Sequence, residues 1–140
     1  MEHTVSKAVT AERVPAGRLL RVGVLAGVFS ASANTLVLTM ASSVFGTVLI
    51  PPDEAVTFGQ VMAASVAGAV GATVLFAVID RLTRRPMRVF WGIAAVGLLL
   101  SFLPIALAGV TGSSTATLGF MHVVAAVTNV SLLTTLGPRR

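Results

Sequence analysis

The sequence contains no cysteine, and only 11% of its 140 residues carry charge. Without cysteine there is no disulfide, no thiolate metal ligand, no thiol nucleophile and no CxxC redox pair. The absence leaves the redox compartment open. The shortage of charge is more telling. An ordinary soluble domain is about a quarter charged, because its surface has to be covered with groups that water solvates. Here 55% of the residues are hydrophobic, and too few polar groups remain to cover a soluble fold of this size. Lipid is the expected solvent.

What the chain does have is long apolar runs. Four of them, at about 19–40, 58–79, 89–110 and 117–136, reach the roughly 20 residues a helix needs to cross the hydrocarbon layer. Arg21, at the edge of the first, is the one charged residue in them. No period-two alternation runs through them, so a transmembrane β-barrel is not supported. The predicted fold class is all-α, a four-transmembrane-helix bundle over 17–140 with a short mobile tail over 1–16. A secretory leader is the rival reading of "RLLRVGVLAGVFSASA", with Ala31-Ser32-Ala33 as its cleavage signal. Against it, polar residues come first and the apolar run continues through "TLVLTM".

The basic residues set an orientation. Lys7, Arg13, Arg18 and Arg21 precede or open the first run, Arg81, Arg84, Arg85 and Arg88 lie between the second and third, and Arg139 and Arg140 follow the fourth. The other two connections contain none. The positive-inside rule then puts both termini and the middle loop in the cytoplasm, with Asp53 and Glu54 outside. The expected location is the cytoplasmic membrane, multi-pass. This placement of charge also answers the pI of about 11.7: the basic groups flank spans, and no nucleic-acid partner is expected. Arg81, Arg84, Arg85 and Arg88 are candidate contacts for anionic lipid headgroups, at about 1 kcal/mol each near the surface. The plainer reading is that they only hold the hairpin inside.

Close helix approach in lipid depends on small residues. Gly23 and Gly27 continue into Ala31 and Thr35 on the first helix, and Ala64, Gly68 and Ala72 form a stripe on the second. Packing within the bundle is favoured over a dimer face. Pro104 is expected to bend the third helix. The apolar connection "SSVFGTVLIPPDE" is the least ordinary one, expected to rest at the outer surface or dip back among the helices.

Polar residues at depth are the candidate site. With helix 4 entering near Thr117, His122 falls five residues, ~8 Å, below the outer end. Asn34, Gln60 and Pro104 fall in the same layer. His122, Asn34 and Gln60 are therefore candidates for an outward-facing polar pocket, since intramembrane polar groups often mark function and histidine titrates near neutral pH. The competing reading is structural: a neutral His122 bridging helices through Asn34, Ser30 or a backbone carbonyl. Asn129, deeper in helix 4, reads as a helix tie. A single histidine, with no carboxylate in any span, makes neither a metal site nor a catalytic set, so no cofactor is expected.

"LSFLPIALAG" followed by "TATLGFMHVVAAV" resembles a family of small actinobacterial four-helix membrane proteins known only as a domain of unknown function. Ser101 to Pro104 and Phe120 to His122 correspond to its short motifs, and "SSVFGTVLIPP" to its apolar connection. The resemblance implies a fold and a compartment and transfers no activity. The favoured function is a small accessory or structural membrane protein that binds lipid or a partner, within a homo-oligomer or larger membrane complex. The alternative is an oligomeric small-molecule carrier, although helix 1 lacks the membrane glutamate of the small multidrug exporters. An intramembrane enzyme ranks third.

Overall fold

The computed structural model describes residues 13–50, 54–110 and 112–137. Most of the tail, together with Asp53, Arg139 and Arg140, lies outside the described residues. Among those described, four helices form: α1 (Ala16–Phe45), α2 (Phe58–Leu82), α3 (Pro86–Leu107) and α4 (Gly112–Leu136). All four are long and apolar enough to span a membrane. Leu99, Leu107, Leu36 and Phe29 are each more than half exposed. Such a surface suits hydrocarbon and would associate in water.

The helices overrun the apolar runs where polar residues can still be helical. α1 has 30 residues, about 45 Å of helix against a hydrocarbon core near 30 Å. Its end is set by Gly46, whose φ of 84° lies in the left-handed region and whose N–H donates to Ser42 O at 3.2 Å. α2 opens on a capping box that the segment Thr57-Phe58-Gly59-Gln60 encodes. Pro86 begins α3 at a position where a missing N–H costs nothing. α3 ends at Leu107, three residues before the expected Val110, and α4 starts at Gly112, five before the expected Thr117.

α1 is the centre of the bundle, packed most extensively on α2 and α4, while α3 leans mainly on α4. Gly23 and Gly27 face α2, so the small-residue stripe of α1 serves the bundle itself. A Cβ on Gly23 would overlap Thr73, and one on Gly27 would sit 3.4 Å from Ala69 Cβ. The corresponding stripe of α2 behaves otherwise, because Gly68 and Gly71 have no neighbour within 4 Å of a built Cβ.

Two apolar clusters hold the ends. Near the arginine-rich end, Leu19, Val22, Phe76, Ile79, Phe90, Val130 and Leu133 pack together, with Phe76 and Phe90 edge-to-face at 5.1 Å. At the opposite end, Leu38, Ala41, Val61 and Met121 close around Val48. Val48 belongs to the unusual connection after α1, which folds back over the bundle. There β1 (Leu49–Ile50) pairs antiparallel with β2 (Glu54–Ala55), Val56 N–H donates to Val48 O at 2.9 Å, and Leu49 N–H donates to Ser114 Oγ at 3.1 Å. The sequence gives no alternation long enough to announce these two-residue strands.

Candidate functional site

Between the two clusters the buried residues of α1 and α2 are small or polar: Ala26, Ser30, Ala31, Asn34, Ser65 and Ala69. Asn34 is 5% exposed and Ser65 4%. Asn34 Nδ2 donates to Ser65 Oγ at 3.1 Å, linking the two helices at depth. The bond leaves Asn34 Oδ1 buried and unpaired, as are Ser30 Oγ and Asn129 Oδ1. Each such atom costs on the order of 1–3 kcal/mol of desolvation. The amide oxygen of Asn129 therefore makes no helix tie.

Asn34 and Ser65 form part of the wall of a cavity of about 390 Å³. Gln60, Ala64 and Gly68 of α2 and Leu118, His122 and Ala125 of α4 complete its sides, while Ile50 and Val56 of the folded-back connection close its end. The three polar residues expected to share a layer do share one cavity. Pro104 does not join them, because no residue of α3 lines it. The α2 small-residue stripe now has a place, since Ala64 and Gly68 leave this space empty.

The individual side chains differ from their expected partnerships. His122 is exposed and does not bridge helices. Its Nδ1 lies 2.8 Å from Leu118 O, one turn back on its own helix. A carbonyl can only accept, so Nδ1 carries the proton and a neutral ring presents Nε2 as an acceptor. Because α4 begins at Gly112, His122 sits about one and a half turns deeper along its helix than expected. Gln60 is exposed, and its side-chain oxygen is already used: it accepts from Thr57 N at 2.8 Å and Thr57 Oγ1 at 3.1 Å. Only its amide nitrogen remains for a guest.

Sequence reasoning missed Ser65, Ile50 and Val56. Ser65 falls four residues from Val61 and Ala69 on the face of α2 that turns inward, a spacing that could have been read. The hairpin roof had no comparable signal. No lining residue is Asp, Glu, Lys or Arg, and among the described residues no cluster of His, Asp and Glu could hold a metal ion. A larger groove of about 810 Å³ follows the outer face of α1 and α2 but carries no amide or titratable group.

The arginine-rich end is built separately. Arg18 Nε donates to Leu136 O at 2.8 Å, capping the last turn of α4. Asp80 Oδ2 accepts from Val14 N at 3.0 Å, which ties the entry of α1 to the end of α2. Arg81, Arg84, Arg85 and Arg88 are all exposed around the α2–α3 connection.

The family of unknown function DUF6069 matches residues 14–138, and the chain belongs to that family. No curated protein and no solved structure matches it.

Proposed function

We propose that this family member is a membrane protein that holds a small lipid-soluble molecule in the cavity between α2 and α4, with no chemistry performed on it. The observation that carries this reading is the convergence of Asn34, Gln60, Ser65 and His122 on one otherwise apolar space. Its volume of about 390 Å³ falls in the roughly 300–1,000 Å³ range of small-molecule sites, which are typically apolar with a few placed polar groups. A merely structural role would have spent these polar groups on one another. Here Gln60 keeps a donor and His122 an acceptor, and Gly68 and Ala64 leave room beside them.

The arrangement of arginines supports the orientation. With Arg81, Arg84, Arg85 and Arg88 at the cytoplasmic face, where they meet anionic headgroups, the cavity opens in the outer half of the membrane. A bound molecule would enter sideways from the outer leaflet.

Filling the cavity tests the reading. Gly68 has no neighbour within 4 Å of a built Cβ, so the Cβ of Gly68→Trp has open space for its added bulk, and the change removes a helix-interior glycine. The wild-type protein, released gently from native membranes into a mass spectrometer, should carry a discrete small molecule that the variant lacks. Equal retention by both proteins, or none by the wild type, contradicts the proposal.

A further inference from the structure

We infer that the guest is an uncharged amphiphile whose head bears a hydroxyl group, and that His122 Nε2 receives the hydroxyl proton. The inference rests on the pocket reading above and adds the chemistry of the guest to it.

The argument starts from which hydrogen-bonding capacity is left over. Asn34 Nδ2 is spent on Ser65 Oγ across α1 and α2, and Asn34 Oδ1, although unpaired, is buried, so the two residues form a polar wall and not the principal contact. His122 Nδ1 is held by Leu118 O. That bond fixes the tautomer and leaves Nε2 as an acceptor in the neutral ring. Gln60 Oε1 accepts twice from Thr57, leaving the amide N–H groups as donors. The pocket therefore offers one free acceptor on α4 and free donors on α2. A hydroxyl uses both kinds, giving its proton to His122 and receiving one from Gln60.

Other headgroups fit less well. An ether or ester oxygen only accepts, so it leaves Nε2 unanswered. A carboxylate or phosphate also only accepts, and it would bring a charge into a cavity lined by no Lys or Arg, where an unpaired ion is costly. A quaternary or primary ammonium finds no carboxylate there and no Phe, Trp or Tyr ring. The remaining lining, with Ile50, Val56, Val61, Leu118 and Met121, is apolar and suits a hydrocarbon tail.

Three probes of matched chain decide the matter: oleyl alcohol, its methyl ether, and oleate at neutral pH. Each is added at equal mole fraction to micelles of the full-length protein, and occupancy is read by native mass spectrometry. Oleyl alcohol should bind about five- to tenfold tighter than the methyl ether, the range expected for one net hydrogen bond, and tighter than oleate. His122→Leu should bring the alcohol-to-ether ratio to about one while ether binding persists, which shows the cavity intact. His122→Gln, which keeps an acceptor, should retain part of the preference. Equal binding of alcohol and ether by the wild type overturns hydroxyl recognition and leaves the pocket standing, as does tightest binding of oleate. If none of the three binds, the pocket reading itself falls with the inference.

Discussion

Gly23 of α1 and Thr73 of α2 touch so closely that a methyl group at position 23 would overlap the threonine side chain. The threonine is not free to turn aside, because its Oγ1 donates to Ala69 O at 2.7 Å. Overpacking of this kind costs about 1–3 kcal/mol. Gly23→Ala should therefore lower unfolding stability in detergent by that order. Gly27→Ala, 3.4 Å from Ala69 Cβ, should cost far less. Adding Thr73→Ala to Gly23→Ala should restore most of the loss, and thermal unfolding of the three variants checks it.

The Asn34–Ser65 bond predicts an asymmetry. Ser65→Ala strands the Asn34 amide, whose oxygen already lacks a partner; membrane hydrogen bonds average about 0.6 kcal/mol, and the stranded donor adds to that. Asn34→Leu removes the bond together with the unpaired oxygen. It should cost less than Ser65→Ala, or even stabilise. Steric-trap or denaturant unfolding of the two variants measures the difference.

His122 is bonded only within its own helix, so His122→Ala should change stability by less than about 0.5 kcal/mol. A helix-bridging histidine would cost more. The same variant in the retained-molecule assay should lose occupancy, which separates a recognition role from a structural one.

Arg18 caps the α4 terminus from α1, a charge near a helix C-terminus that contributes roughly 0.3–1 kcal/mol. Arg18→Ala should speed amide hydrogen exchange in the last turn of α4 while leaving the turns around His122 unchanged. Exchange mapped by residue checks it.

Much of the architecture was legible because lipid imposes a simple code: length and lack of charge located all four helices. Their ends were less legible. Gly112 to Ala116 are polar or small and do not register as membrane-embedded, yet the backbone continues the helix through them and the site shifts along α4. The candidate trio was legible as polar residues within apolar runs, although the early start of α4 moves His122 along its helix. Its partnerships were not. Which helix a side chain turns toward depends on packing, as the Asn34–Ser65 bond and the Thr57–Gln60 box both illustrate. The hairpin roof depends on the single buried Val48 and on Ser114 from a distant helix, a relation no local pattern carries.

The orientation has its own measurement. The chain contains no cysteine, so single cysteines can be placed at Thr83, beside the arginines, and at Thr57, beside the cavity end. A membrane-impermeant thiol reagent applied to intact cells should label position 57 and spare position 83.

The most direct test of the central claim is photo-cross-linking from inside the cavity. A diazirine-bearing side chain replaces Ala125, which lines it, and in a separate protein replaces Val127, which is 55% exposed and does not. Irradiated in native membranes, position 125 should yield a discrete adduct of one lipid-soluble species, and position 127 a mixture that follows bulk lipid composition. The same bulk mixture from both positions would contradict a site that selects its guest.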